Sequence, residues 1–256
     1  MKFIFLPTFL ALFIFSCSSS AESEVSEEPK EAALQAGDSL IELAFEAHGG
    51  KQYENQPYHF DFRGNEYSFH FKGKSYSFTK RDTANGRITV DELTERGFER
   101  LQNGESISLT AAEEHKYSEA LNSVVYFASL PYKLMDNAVF KKKGDDIFIR
   151  GKDYYAVAVS FSEDGGGKDF EDVFYYWINK NTLLIDYLAY QYATNGGGVR
   201  FRKAFNARRI NGVTFQDYVN YEAPVGTELK DLPKLFEKNE LKELSLILTE
   251  DVRIGK

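Results

Sequence analysis

Aromatic residues alternate with polar residues along three short runs, 58–62, 67–71 and 76–78, with a period of two. This period is typical of β-strands that have one buried face and one exposed face. Gly64-Asn65 and Gly73-Lys74 separate the runs, and each pair predicts a two-residue hairpin loop. The pattern therefore predicts a three-stranded antiparallel meander at the start of the folded chain.

The two predicted loops also fix which residues face each other across the strands. They place Phe60 opposite Phe69 and Phe69 opposite Phe78, which gives an aromatic ladder on one face. On the other face they place His59 opposite His70. Because such a ladder of rings needs a cover, we expect the first helix of the chain to pack against it.

Two helices are predicted from apolar residues at helical spacing. The first extends from Ser39 to about His48, with Ser39 and Glu42 as a capping box and Gly49-Gly50 as a stop signal. The second covers about 111–127. Thr110 and Glu113 form its predicted capping box.

The remaining segments alternate between strands and turns as far as the end of the chain. The predicted elements are strands at about 86–91, 97–109 (folded at Asn103-Gly104), 138–142, 146–150, 154–161, 171–179, 183–193, 198–209, 213–222 and 241–252, with a short helix at 232–237.

A mainly β (α+β) fold follows from this order of elements. We expect one long, curved antiparallel meander sheet or half-barrel over residues 38–256, with two principal helices packed in its concave face. A closed up-and-down barrel of the lipocalin kind is the alternative. The half-barrel predicts an apolar cavity of several hundred Å³ under the helices.

The segment before the folded domain has the pattern of a leader. Met1-Lys2 precedes an apolar run over 3–15, which is too short to span a bilayer and is typical of a signal peptide over 1–16. Ile14-Phe15-Ser16-Cys17 resembles a bacterial lipobox, and Cys17 is the single cysteine of the chain. This resemblance implies that Cys17 carries lipid and that the protein attaches to a membrane through it.

Composition and charge set further expectations. Residues 17–37 are rich in Ser, Glu and Ala, which predicts a disordered acidic tether between the anchor and the domain. The formal net charge of the chain is −8. Because binding to nucleic acid depends on Lys and Arg contacts to phosphate, this charge argues against a nucleic-acid partner.

Standard catalytic motifs do not occur in the sequence. There is no G-x-S-x-G, H-E-x-x-H, Walker A or C-x-x-C motif, so the sequence predicts neither an enzyme nor a cofactor. His59 and His70, with Asp61 nearby, could hold a metal at two or three points. A structural zinc site takes four ligands, which favours two histidines on a solvated face instead.

A basic strand stands out in this acidic chain. By alternation, Arg200, Arg202, Asn206 and Arg208 share one face of residues 199–209. One interpretation is an anion site for a carboxylate, a phosphate or a lipid headgroup. The alternative is cross-strand pairing with acidic residues, which are Asp186, Asp217 and Glu222.

Aromatic residues are concentrated in the neighbouring strands. Most of them are expected in the core, but Tyr190, Tyr192 and Trp177 would also suit the wall of an amphiphile pocket. With Arg200 and Arg202 they are the candidate ligand-binding residues.

Several segments resemble an uncharacterised family of Gram-negative envelope lipoproteins. The segments are 47–50, 122–128, 165–170, 186–190 and 196–202. More loosely, the layout is similar to the lipoprotein carrier and receptor proteins of outer-membrane sorting (LolA/LolB-like), in which a curved antiparallel sheet and helices enclose an apolar cavity. The second resemblance implies lipid binding by analogy of layout.

These observations together predict a membrane-anchored envelope lipoprotein that binds a hydrophobic or amphiphilic ligand in its half-barrel. The expected location is the outer membrane, on its periplasmic face or at the cell surface, and the expected state is a monomer. The alternative is a non-enzymatic scaffold lipoprotein whose loops contact envelope protein or glycan. That alternative predicts a filled core and an exposed aromatic patch.

Overall fold

A computed structural model describes residues 27–136, 138–161, 173–193 and 196–255, with side chains from residue 32 onward. Within these residues the helices are α1 (Glu27–His48), α2 (Ala111–Ala128) and α3 (Leu232–Glu237). The strands are β1 (Tyr58–Phe62), β2 (Asn65–Lys72), β3 (Ser75–Ala84), β4 (Arg87–Thr94), β5 (Gly97–Gln102), β6 (Glu105–Ser106), β7 (Val139–Lys143), β8 (Ile147–Ile149), β9 (Lys152–Phe161), β10 (Phe174–Asn179), β11 (Ile185–Tyr192), β12 (Gly198–Ile210), β13 (Val213–Ala223), β14 (Lys242–Ile247) and β15 (Glu250–Ile254).

The strands form two open antiparallel sheets, which confirms the expected mainly β class and its antiparallel meander. The first sheet has the order β15-β1-β2-β3-β4-β5-β6, and the second has the order β14-β13-β12-β11-β10-β9-β7, with β8 paired to β9. A closed barrel is therefore wrong. The expected last strand at 241–252 is also wrong, because the chain leaves β13 at Ile247 and continues as β15 beside β1.

A cluster of polar groups lies where the chain passes from β14 in the second sheet to β15 in the first sheet. The Asp217 carboxylate on β13 accepts hydrogen bonds from the Thr249 amide at 2.9 Å and from the Asn206 side chain at 2.6 Å. Arg208 forms an ion pair with Asp217 at 3.2 Å and donates to the carbonyl oxygen of Thr249. Thr249, which lies between β14 and β15, is thus hydrogen-bonded to residues of β12 and β13. These bonds fix where one sheet ends and the other begins.

The register of the first hairpin differs from the expected one. Arg63 and Gly64 both have positive φ angles, 51° and 75°, so the loop lies one residue earlier than Gly64-Asn65. A type I′ turn prefers glycine at its second position, and Gly64 takes that position. In consequence Phe60 faces Tyr67 and His59 faces Ser68.

The second hairpin has its loop at Gly73-Lys74 as predicted. Phe69 faces Phe78 and His70 faces Ser77 across it. Phe60 lies beside Phe69, with ring centroids 6.4 Å apart, and the three phenylalanines are almost fully buried. The aromatic face was therefore predicted correctly, although one cross-strand partner in it was not.

Helix α1 begins at Glu27 and thus includes residues that were expected in the tether. The Ser39 hydroxyl bonds to the Gln35 carbonyl within the helix, so Ser39 is not an N-cap. Gly37 lies against the backbone of Lys141 on β7, where a Cβ would come within 2.3 Å of the carbonyl oxygen. The missing side chain lets α1 contact the edge strand, and an ion pair of 2.9 Å joins Asp38 to Lys141.

The helices cover both faces of the second sheet. On one face α1 packs against β7, β9, β10, β11 and β13, and α2 packs in the adjoining cluster with β1 to β3. On the opposite face α3 packs on Tyr187 and Phe201 through Phe236. The expectation that helices lie in one concave face thus holds for α1 and α2. None of the described helices is long and apolar enough to cross a membrane.

Candidate functional site

A cavity of about 190 Å³ lies between α2 and the strands where the two sheets meet. Most of its lining is apolar. The lining residues are Phe60, Phe62, Arg63, Ser123, Val124, Phe127, Ala128, Arg202, Tyr218, Ile247 and Thr249. The cavity is smaller than the expected several hundred Å³, because rings from both sheets and side chains of α1 and α2 fill most of the space under the helices.

Local sequence explains why α2 lies over this cavity. The Thr110 and Glu113 capping box is formed in both directions and fixes the start of the helix. Arg100 on β5 pairs with Asp91 through two bonds of 2.5 and 2.7 Å, and its guanidinium lies 3.4 Å from the centre of the Tyr117 ring. These contacts hold the first half of α2 on the first sheet, so that its last turns, at Val124 to Ala128, lie over the junction.

Arg202 is the charged group inside the site. It is 8% exposed, and its guanidinium lies 3.7 Å from the centre of the Phe127 ring on α2. One Nη donates to the Tyr190 hydroxyl at 2.7 Å, while the Nε has no hydrogen-bond partner among the described residues. Of the expected ligand-binding residues, Arg202 is thus the one that lines the cavity.

Tyr190, Tyr192 and Arg200 lie beside Arg202 on the same face. Arg200 donates to the Tyr192 hydroxyl at 2.7 Å, and it lies directly opposite Glu222 on β13. Tyr190 packs against the rings of Phe127 and Phe174. The structure therefore brings four of the five candidate residues together, and strand alternation had predicted this for Arg200 and Arg202.

Trp177, the fifth candidate, does not belong to this site. It points to the opposite face of the sheet, where it is 1% exposed and packs against Phe201. A strand's odd and even residues face opposite sides, and Trp177 pairs with Tyr187, not with Tyr190. Its role in this fold is packing beneath α3.

A second, larger hollow of about 620 Å³ lies on that opposite face. Ala156 and Ala158 on β9 leave the space, and Tyr175 and Trp177 on β10 form one wall. Charged residues border it, namely Lys142, Lys143, Asp145, Asp146, Lys230, Asp231 and Lys234. Ion pairs of 2.9 Å join Lys143 to Asp146 and Lys234 to Asp231, so much of this charge is compensated locally.

The two histidines considered as metal ligands do not face each other. His59 pairs with Ser68 and His70 pairs with Ser77, because the first hairpin loop lies one residue earlier than predicted. Burial lowers the pKa of His70, and the nearby Lys72 charge lowers it further. Among the described residues, no group of three or more His, Cys, Asp or Glu side chains could hold a metal ion.

The helical and β13 parts of the site were not expected from the sequence. Val124 was predicted only as an apolar position of the second helix, Phe127 only as its approximate end, and Tyr218 only as a strand residue. Burial raises the pKa of Tyr218, and the Arg202 charge partly offsets this effect. The Tyr218 hydroxyl therefore stays protonated. For the α2 residues of the site, the sequence signal was the apolar stripe of the helix, because such a stripe has to face a sheet.

Comparison with models of known protein families gives one match over most of the chain. A family model, described as a family of unknown function (DUF6503), matches residues 2–250. The chain belongs to the DUF6503 family. This membership confirms the expected resemblance to a family without an assigned activity. No curated protein matches the sequence of this DUF6503 member.

Solved structures with a similar fold include a LolA superfamily protein, NE2245 from Nitrosomonas europaea. Its sequence is 10% identical, the TM-score is 0.50, and the similarity covers 86% of this chain and 94% of that one. A DUF1329 family protein from Desulfovibrio piger is 11% identical over 87% of this chain and 93% of that one, with a TM-score of 0.49. The LolA superfamily neighbour confirms the expected LolA-like architecture for this DUF6503 protein.

Proposed function

We propose that this DUF6503 protein is a cell-envelope lipoprotein that binds a hydrophobic or amphiphilic ligand in the cavity under α2. The proposal includes no enzymatic step. The observation that carries it is the cavity itself, since apolar side chains from α2, β1 and β14 meet there around one buried cation. Ligand pockets have this composition, a mainly apolar wall with a few fixed polar groups.

The fold supports the same function by analogy. A LolA superfamily protein has a similar arrangement of sheets and helices, although the sequences are only 10% identical. Because one fold can serve several functions, the fold argues for a ligand between sheet and helices and not for a particular ligand. The volume of about 190 Å³ favours a short alkyl chain or the end of a longer one.

The membrane anchor is the second part of the proposal. Cys17 lies outside the described residues, so its lipidation rests on the lipobox-like sequence alone. Metabolic labelling with a palmitate analogue tests it, with Cys17→Ser as the variant. We expect label on the wild type and none on the variant, and label on both would contradict the assignment. An outer-membrane location is tested by fractionation of the same cells.

Native mass spectrometry of protein extracted from membranes tests the ligand. We expect wild-type protein to retain a small apolar or amphiphilic molecule. Ala128→Leu should reduce the retained fraction, because Ala128 lines the cavity and a larger side chain fills it. Ala120→Leu is the matched control, since Ala120 is exposed on the same helix. Wild-type protein without any bound molecule would contradict the proposal.

A scaffold that contacts envelope protein or glycan is the second candidate. Phe140 and Phe148 support it, because they are 53% and 59% exposed on the edge strands β7 and β8. Exposed aromatic side chains of this kind often mark an interaction surface. Cosedimentation with purified peptidoglycan tests the glycan form of this function. The double variant Phe140→Ser, Phe148→Ser should lose binding, and sedimentation equal to that of the wild type would contradict it.

A further inference from the structure

Arg202 differs from the other arginines of β12 in what neutralises it. Arg208 is paired with Asp217 at 3.2 Å, and Arg200 lies opposite Glu222. Arg202 lies opposite Asn220 on one side and Leu188 on the other, and no described carboxylate lies within 4 Å of its guanidinium nitrogens. It is also the most deeply buried of the three, with 8% of its surface exposed.

A buried guanidinium without a carboxylate is an unusual arrangement. Arginine has five N–H donors and stays charged at any physiological pH. Contacts with Phe127 and with the Tyr190 hydroxyl stabilise the charge in part, but both partners are neutral. The Nε–H, which in a bidentate pair would bond to one oxygen of an anion, has no partner.

The surroundings of Arg202 show where a compensating anion would lie. Arg202 contributes the buried cation to a cavity that Phe60, Phe62, Val124 and Ile247 also line. Tyr218 lines the same cavity and carries a protonated hydroxyl. An anionic oxygen bound to Arg202 would therefore lie in a cavity that Tyr218 and several apolar side chains also line.

We propose that the ligand of this cavity is a single-chain amphiphile with an anionic oxygen headgroup, and that the Arg202 guanidinium binds this headgroup. This inference rests on the proposed function and names the class of its ligand. The chain packs among the phenylalanine and aliphatic side chains, while the headgroup receives hydrogen bonds from Arg202. A carboxylate and a phosphate monoester share the required chemistry.

The orientation of the ligand is part of the inference. Arg63 also lines the cavity, but it is exposed in the loop between β1 and β2. A headgroup at Arg63 would remain hydrated and would need no buried cation. The uncompensated charge of Arg202 therefore favours a headgroup inside, with the alkyl chain directed toward the sheet junction.

Calorimetric titration of the delipidated protein tests the inference with three probes of equal chain length: octanoate, octyl phosphate and 1-octanol. We expect the wild type to bind the two anions at least tenfold more tightly than the alcohol, and the tighter anion identifies the headgroup. Arg202→Met should weaken anion binding at least tenfold and leave alcohol binding unchanged. Arg209→Met is the matched control, because Arg209 is exposed on the same strand and does not line the cavity, and it should change anion binding less than threefold.

Two results separate failure of this inference from failure of the proposed function. Binding of both anions that is no tighter than binding of 1-octanol by the wild type overturns the headgroup assignment alone. No binding of any probe contradicts ligand binding in the cavity and overturns both. A measurement on the wild type covers the case in which Arg202→Met does not fold: the side-chain Nε–H resonance of Arg202 should shift on addition of octanoate, and an unchanged resonance overturns the assignment.

Discussion

The backbone amide of Ile185 on β11 donates a hydrogen bond of 3.1 Å to Nε2 of His48 at the end of α1. His48 is 1% exposed and burial lowers its pKa to about 4, although the backbone of Thr214 partly opposes the shift. Because Nε2 accepts this bond, the neutral ring carries its proton on Nδ1. Protonation of Nε2 would place two hydrogens between His48 and Ile185.

A pH dependence of stability follows from this contact. In the unfolded chain a histidine binds its proton near pH 6.5, whereas folded His48 does so only near pH 4. Unfolding therefore takes up a proton between these values, and stability falls as the pH decreases from 6.5 to 4. For this group alone we expect a loss of about 2 kcal/mol between pH 7.5 and pH 5.

Urea unfolding at these two pH values, for the wild type and for His48→Gln, measures the effect. The variant should be less stable at pH 7.5 and should lose less stability on acidification. His115→Gln is the control, because His115 is exposed on α2. An equal pH dependence for the wild type and His48→Gln would contradict the expectation.

Removal of the Tyr190 hydroxyl should destabilise the protein. Tyr190→Phe leaves one buried N–H group of Arg202 without its acceptor, which costs about 1–3 kcal/mol. Tyr192→Phe removes the equivalent bond to Arg200, which is less buried, and should cost less. Free energies of unfolding in urea provide the comparison, and a larger loss in Tyr192→Phe would show that Arg202 does not depend on this bond.

Loss of the capping box should weaken α2. In Thr110→Ala the Glu113 amide loses its side-chain acceptor, and we expect about 1 kcal/mol of destabilisation. Glu114→Gln is an exposed change in the same turn and should stay within about 0.5 kcal/mol of the wild type. If both variants unfold at the same urea concentration as the wild type, packing alone positions the start of α2.

Trp177 provides an optical test of which face holds the ligand. It is the only tryptophan of the chain and is buried on the α3 side of the sheet. Octanoate bound under α2 should therefore leave its emission wavelength unchanged. In a Trp177→Phe background, Phe127→Trp places the fluorophore at the cavity and should respond to the same ligand. A shift of Trp177 emission with no response from a tryptophan at position 127 would place the ligand on the α3 side of the sheet and contradict the expectation.

The buried Asp217 carboxylate, which lies where the chain passes between the sheets, should contribute more to the free energy of unfolding than exposed ion pairs do. Asp217 is 3% exposed and accepts bonds from Thr249, Asn206 and Arg208. Asp217→Ala leaves these donors and the Arg208 charge uncompensated, at a cost of about 3–5 kcal/mol. Asp231→Ala breaks the exposed pair with Lys234, which solvent screens, and should destabilise the protein much less than Asp217→Ala. Similar losses in the two variants would contradict the role of Asp217.

Local patterns predicted most elements because their causes are local. The α2 capping box, the Gly73-Lys74 loop and the stop at Gly49-Gly50 depend on neighbouring residues, and the structure confirms all three. The start of α1 was wrong because it depends on a distant contact. Residues 27–38 look like a polar spacer in sequence, yet Gly37 and Asp38 lie against Lys141 on β7.

The site was predicted only in part for a related reason. Alternation along β12 correctly placed Arg200 and Arg202 on one face, and the structure adds Tyr190 and Tyr192 of β11 to that face. No sequence pattern indicates which helix covers that face, so Phe127 and Val124 were not expected there. The division into two sheets was also missed, because it depends on β15 pairing with β1, far away in the chain.

That pairing has a consequence for the order of folding. Tyr58 on β1 pairs with Ile254 on β15, roughly 200 residues later. Contacts between such distant segments form late, since a long loop must close before they contribute any stability. Until β15 arrives, one edge of β1 has free backbone groups that could pair with another chain. The first sheet therefore depends on β15 to complete it, and a nascent chain has to be synthesised as far as β15 before β1 is protected on both sides.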